Sequence, residues 1–335
     1  MAGNVYSIRQ LHEIREVFGS IRPRLEQVEG FLAREMDEAL PMVGKVAGYV
    51  LGSGGKRIRP SLVLLISRIL GYTGERDIRY GAVVELIHTA TLIHDDIIDQ
   101  SDLRRGKPTA NRKWGNQATV LVGDWLYTRT MDLCLELGDV EVMRVLTSAT
   151  LQMTEGEILA DRVRGQLDVD EDVYMDITRR KTAELFAAAC SIPALFQPST
   201  LHLTDTLAGF GRNLGLCFQL IDDVLDYTSS RGELGKPVMA DLREGRVTLP
   251  MILLLPGLGP AQRQQIAEVV RTGVFESISE EEVLQMVATS GVLDEVRARA
   301  AEFARRADEL GGQLPGGRER QSLLRAAALL LDRRS

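Results

Sequence analysis

The sequence predicts an all-α protein. Period-two alternation is nearly absent, apolar residues recur at spacings of three and four, and glycine and proline gather in short clusters between the periodic stretches. Those stretches run over about 25–50, 81–99, 118–137 and 206–227. Breaks fall at 52–60 (GSGGKRIRP), 104–108 (RRGKP), 231–237 (RGELGKP), 256–260 (PGLGP) and 314–318 (LPGGR). Each is a short loop, too brief to link domains. Ser279 with Glu282 forms a capping-box pattern before an apolar run and predicts a further helix over 280–290. With no repeat or low-complexity tract, the chain reads as a single domain over 1–335, although 335 residues could by length alone hold two.

Composition excludes several classes. Hydrophobic residues make up 44% and charged residues 26%, ordinary for a folded globular chain. A net charge of −7 and a pI near 5.4 argue against a nucleic-acid partner, so any anionic ligand must be held by local basic clusters. Cys134, Cys190 and Cys217 lie far apart in apolar contexts and read as small buried hydrophobes, with neither zinc nor disulfide spacing. The amino terminus shows no secretory apolar region, and no run of about 18 apolar residues occurs, so a cytoplasmic location without a membrane span is expected.

The segment GAVVELIHTATLIHDDIID is apolar nearly all round, which places it at the centre of a large bundle, yet it carries carboxylates. Glu85, His88, Leu92, Asp95 and Asp99 follow a 3, 4, 3, 4 spacing on one helical face, with Asp96 adjacent. Carboxylates one turn apart repel each other unless a hard cation with oxygen ligands is shared between them, and magnesium suits that role. One such cluster by itself also fits a solvated helix end. A second cluster in FQLIDDVLDYTSS changes the weighing: Gly215, Gln219, Asp222 and Asp226 share a face, with Asp223 adjacent. Facing each other, the two clusters could grip a diphosphate through several magnesium ions. Calcium-loop and zinc spacings are both missing.

Basic residues stand where an anion would need them: Lys56 and Arg59 in GGKRIRP, Arg104 and Arg105 beyond the first aspartates, and Lys181 with Thr182 opening another apolar helix. Taken singly, each cluster also fits a solvated loop. GGKRIRP is no Walker loop, since Val50 and Arg57 replace the required glycine and hydroxyl residue.

GGKRIRP, ELIHTATLIHDDIIDQSDLRRGKPTAN, RRKTAELFAAAC, FQLIDDVLDYTSS, LGKP and EGRVTLP resemble, in order and spacing, the trans-type polyprenyl diphosphate synthases, over about 40–255. The resemblance implies the isoprenoid-synthase fold, a large all-helical bundle around a deep central cavity, usually a homodimer. It implies that Asp95, Asp99 and Asp222 hold magnesium, about three ions bound with the diphosphate, supported by Asp96, Asp223 and Asp226. Lys56, Arg59, His88 and Arg105 would bind isopentenyl diphosphate; Arg104, Lys181, Thr182, Gln219 and Lys236 would bind the allylic diphosphate. From the residues alone, His88 and Gln219 also fit satisfied core polars, and His12, His94 and His202 are read as structural. Two departures stand out: Arg246 where lysine is common, and Ser191, Ile192 and Pro193 where a Gly-Ala pair is common.

The implied activity joins isopentenyl diphosphate to an allylic diphosphate, farnesyl or geranylgeranyl, by ionisation without a covalent nucleophile. Short-chain synthase, class I terpene cyclase and non-catalytic synthase subunit are the alternatives; intact GGKRIRP and two intact aspartate clusters argue against the last two. Small Thr91 and Ala90, four and five residues before Asp95, leave the tail's path open, with Met131 as a candidate stop. The expected product is medium to long, roughly seven to ten isoprene units, the kind used for quinone side chains and passed to membrane enzymes.

Overall fold

The structure is a computed structural model that describes residues 19–228 and 238–331. It is helical throughout, and the only strands among the described residues are the two-residue β1 (Leu103–Arg104) and β2 (Lys107–Pro108), paired as a small hairpin.

The first periodic stretch is two helices, α1 (Arg22–Glu38) and α2 (Pro41–Leu51). Pro41 explains the break: the residue before proline is driven out of the helical region, and Leu40 sits at φ −53°, ψ 140°. α3 (Ile58–Ile69) starts inside the segment expected to be loop, with Arg57 in the left-handed region at φ 47° just before it. α4 (Arg76–Ile98) is the central helix, buried on several sides as its composition requires. After the hairpin come α5 (Ala110–Trp114), α6 (Asn116–Leu137) and α7 (Val140–Val163).

α8 (Glu171–Thr178) begins at Asp170, whose carboxylate accepts the Val173 N–H at 2.8 Å, and runs into a π-helical turn over Arg179–Ala183 and then α9 (Glu184–Ser191). At Ile192, where the sequence departs from the pattern it otherwise resembles, Pro193 converts the helix to a 3₁₀ turn, Ile192–Phe196. α10 (Thr204–Thr228) carries the second aspartate cluster. Beyond residue 237 follow α11 (Ala240–Arg243), α12 (Leu249–Leu254), α13 (Pro260–Thr272), α14 (Glu280–Ser290), α15 (Val292–Gly311) and α16 (Arg318–Leu331). The capping box at α14 forms as the sequence predicts, with the Glu282 N–H reaching Ser279 Oγ at 3.2 Å and the Ser279 N–H reaching Glu282 at 2.9 Å.

Two apolar clusters make the core. One gathers α1–α7 and α9 with the first half of α10 and, through Ala307 and Leu323, the end of α15 and α16; the other joins α8 and the second half of α10 to α11–α15. α10 belongs to both, so the helix bearing the second aspartates is fixed from two sides. Cys134, Cys190 and Cys217 are buried, as expected.

Candidate active site

A pocket of about 450 Å³ opens where the ends of α4 and α10 meet the π-helical turn, the β hairpin and the 245–248 segment. Asp95, Asp99, Asp222 and Asp223 line it together with Arg59, His88, Arg104, Arg105, Lys181, Thr182 and Gln219. The two aspartate clusters, far apart in sequence, therefore face one space with cations around it.

Each aspartate has its own environment. Burial pushes the Asp95 carboxyl up to about 6; Lys181 opposes the rise, while Glu157 and Asp99 add to it. Burial works the same way on Asp99, but Arg246 and Arg164 overcome it and hold that carboxyl below its ordinary value. Asp96 is 2% exposed and turned from the pocket, accepting from Arg104 Nε at 2.7 Å. It positions Arg104.

On α10, Asp223 accepts from Gln219 Nε2 at 2.8 Å and from the Tyr174 hydroxyl, and Thr182 Oγ1 donates to Gln219 Oε1 at 2.9 Å. A hydrogen-bonded chain thus runs from the π-helical turn to α8. Burial and Asp241 raise the Asp223 carboxyl well above its ordinary value. Asp226 does not line the pocket. Its carboxylate accepts the Ala240 and Asp241 N–H groups at 3.0 and 3.2 Å, anchoring α11, and burial with Asp241 raises it to about 8.

The π-helical turn explains how Lys181 and Thr182 both reach the pocket, because the extra residue rotates neighbouring side chains onto one face. It is gripped between two glycines. A Cβ at Gly156 would lie 2.7 Å from Arg180 Cβ, and one at Gly215 would lie 2.7 Å from Ala183 Cα. Gly215, which the spacing placed on the aspartate face, thus serves close helix approach. Lys181 pairs with Glu157, and the nearby Asp95 and Glu157 charges raise its pKa against the lowering effect of burial.

Arg59 carries the clearest signature of an anion site. Burial lowers its guanidinium to about 10 against the pull of Glu85 and Asp222, it stacks with its Cζ 4.5 Å from the Phe186 ring centroid, and its Nε is buried without a hydrogen-bond partner. His88 is held neutral by burial and by Arg59, Arg105 and Arg104. A neutral imidazole can still donate one hydrogen bond to a phosphate oxygen.

Some expected residues lie elsewhere. Lys56 is exposed on the loop before α3 and does not line the pocket. Lys236 and His12 fall outside the described residues. Thr91 lines the pocket, whereas Ala90 is 2% exposed in the core and Met131, on α6, is away from the lining. The difference between Thr91 and Ala90 is one residue's rotation, about 100°, around α4. His94, read as structural, sits against α6 with its Nε2 3.3 Å from the Val120 carbonyl.

Sequence reasoning missed Arg164, Tyr174, Asp241 and Glu157. Arg164, Tyr174 and Asp241 line the pocket, and Glu157 pairs with Lys181. Only Asp241 had a nearby signal, the EGRVTLP motif that follows it. No cluster of three or more potential protein ligands converges on one point among the described residues. The oxygen-only donors fit magnesium bound with a diphosphate, which takes one or two carboxylates and completes its shell with phosphate oxygens and water.

Comparison with known proteins identifies relatives over nearly the whole chain. The polyprenyl synthetase family model matches residues 41–288. The chain is 37% identical over 306 residues to octaprenyl diphosphate synthase of Escherichia coli, covering 91% of this chain and 94% of that protein. It is 36% identical over 320 residues to an all-trans-nonaprenyl-diphosphate synthase (geranyl-diphosphate specific) of Rhodobacter capsulatus, covering 95% and 98%. The fold superposes with a TM-score of 0.89 on a crystal structure of polyprenyl synthase from Caulobacter crescentus complexed with calcium and isoprenyl diphosphate, at 32% identity and with 96% and 98% of the chains covered.

Proposed function

Because the chain belongs to the polyprenyl synthetase family, we propose that it is a trans-prenyltransferase that condenses isopentenyl diphosphate onto an allylic diphosphate, giving a medium- to long-chain all-trans polyprenyl diphosphate. The observation that carries this reading is the convergence of two aspartate-bearing helix ends and several cations on one pocket. A terpene cyclase has no use for the second diphosphate pocket that Arg59, His88 and Arg105 suggest.

Arg59, His88 and Arg105 bind isopentenyl diphosphate, with Lys56 on the loop just before α3. Arg104, Lys181, Thr182 and Gln219 bind the allylic diphosphate, with Lys236 as a further candidate. Asp95, Asp99 and Asp222 would hold about three magnesium ions, whose chemistry is to neutralise charge on the departing diphosphate. The allylic C–O bond breaks with its electron pair leaving on pyrophosphate. The isopentenyl double bond then attacks the allylic cation, and a proton passes to the released pyrophosphate. Asp96 and Asp223 hold Arg104 and Gln219 in place for this step, and Asp226 holds α11.

One domain over 1–335 is supported by α10, which joins both core clusters. A homodimer is supported by exposed apolar side chains on α6 (Leu121, Leu135) and α7 (Leu151, Ile158). No described helix is long and apolar enough to cross a membrane. A cytoplasmic enzyme whose product passes to membrane enzymes for quinone side chains is the setting we infer. Purified protein with farnesyl diphosphate, isopentenyl diphosphate and magnesium should yield a product of roughly seven to ten isoprene units by mass. Asp95→Ala and Asp222→Ala should each lower turnover by orders of magnitude with the fold intact; near-normal turnover in either contradicts the reading.

A further inference from the structure

Asp99 is the pocket aspartate whose two oxygens are both taken by arginine. Arg164 Nη2 donates to Oδ1 at 2.9 Å, and Arg246 Nη1 lies 2.7 Å from Oδ2. Neither arginine came from an aspartate motif, and both line the pocket. Arg164 does more than pair with Asp99. Its Nη1 donates to the Glu244 carbonyl at 3.1 Å, and the next residue's N–H bonds the Gly245 carbonyl at 2.8 Å, so the end of α7 is fastened to the turn that carries Arg246. Gly245, at φ 74°, makes that turn possible: a Cβ there would lie 3.3 Å from both Arg164 Cγ and the Gly165 nitrogen. Arg164 Nε is buried without a hydrogen-bond partner, its ion-pair neighbour Asp161 standing 3.5 Å away. Arg246 also pairs with Asp241 at 2.9 Å and with Glu244.

We propose that Arg164 is a positioning residue which, with Arg246, occupies Asp99 in the metal-free protein and makes metal binding conditional on a diphosphate. The inference rests on the reading of this pocket as a magnesium–diphosphate site. Two guanidinium groups on one carboxylate repel a divalent cation and already engage both of its oxygens. A diphosphate competes for those guanidiniums with bidentate geometry that arginine prefers. As it draws them off, Asp99 is released to the metal. Because both groups face the pocket, the exchange needs only side-chain rotation. Metal and diphosphate then bind with positive coupling, and the coupling is reciprocal.

The test is Mn²⁺ binding to the full-length protein by water-proton relaxation, with and without inorganic pyrophosphate, and with a protein-free titration to subtract chelation. Wild type should bind Mn²⁺ weakly alone and much more tightly with pyrophosphate. Arg164→Gln should bind Mn²⁺ alone about tenfold more tightly than wild type and show a correspondingly smaller gain from pyrophosphate. Equal affinities and equal gains in the two proteins, or weaker metal binding by the variant, overturn the proposal while leaving the pocket's function standing. Absence of Mn²⁺ binding in wild type even with pyrophosphate defeats the metal–diphosphate reading and the proposal with it. Should Arg164→Gln fail to fold, Arg164→Lys keeps the charge but cannot hold Asp99 and the Glu244 carbonyl together. It should shift Mn²⁺ affinity in the same direction by a smaller factor, and an unchanged affinity overturns the proposal.

Discussion

Replacing Glu85 by alanine should destabilise the protein and loosen the start of α3, whose first turn carries Arg59. Glu85 is buried on α4, and its carboxylate meets Arg57 Nη1 at 2.6 Å, with side-chain exposures of 7% and 12%. Arg57 also donates to Glu29 at 2.7 Å and to the Leu51 carbonyl at 2.9 Å, and it holds the left-handed φ of 47° that starts α3. Removing one partner of a buried pair costs about 3–5 kcal/mol, because the other charge stays behind unpaired. Glu29 remains as a partner, but it is 48% exposed, so the lower end of that range applies. Unfolding entropy of about 2.1 cal/mol/K per residue gives roughly 0.7 kcal/mol/K for this chain, and about 3 kcal/mol becomes a fall in Tm of about 4 °C. A thermal melt measures it. The Arg57→Met/Glu85→Leu double variant, which leaves no charge stranded, should recover most of the loss. A Glu85→Ala melt within about 1 °C of wild type would refute the assignment of this pair as a buried anchor.

Arg59→Met should raise KM for isopentenyl diphosphate by about ten- to a hundredfold, the worth of a charge-assisted hydrogen bond, with far less effect on the allylic substrate; equal effects in steady-state kinetics would break the site assignment. Thr91→Tyr projects into the pocket and should shorten the product seen by mass spectrometry, whereas Ala90→Tyr, at a core position 2% exposed, should instead lower Tm through overpacking of about 1–3 kcal/mol. The Asp95 carboxyl sits at about 6 against an ordinary 3.8, so the folded protein keeps that proton longer than the unfolded chain does. Its contribution to stability is greatest below the ordinary value and is lost as pH rises through about 6. Metal-free Asp95→Asn should therefore show less decline in Tm between about pH 4 and 6 than wild type, and parallel profiles would contradict that environment for Asp95.

The helical class, the aspartate clusters and most of the cations were legible in the sequence because they are periodic. A repeat of three and four fixes which side chains share a helix face before any packing is known, so Asp95 with Asp99 and Asp222 with Asp226 emerged as pairs. Their division of labour did not. Asp226 and Asp96 share motifs with the pocket aspartates but anchor α11 and Arg104, since one step along a helix rotates a side chain by about 100° onto different neighbours. The same rotation separates Thr91 in the pocket from Ala90 in the core.

The sequence by itself determined what repeats at short range: helix positions, the capped start of α14, the buried cysteines and two carboxylate faces with basic groups nearby. Only the tertiary structure decided which long-range partners meet. Arg164 on Asp99, Tyr174 on Asp223 and Arg57 on Glu85 are separated by 65, 49 and 28 residues. The π-helical turn that presents Lys181 and Thr182 depends on Gly156 and Gly215 from two other helices. Such contacts follow from how whole helices cross, and crossing is set by the summed packing of both cores rather than by any local run of residues.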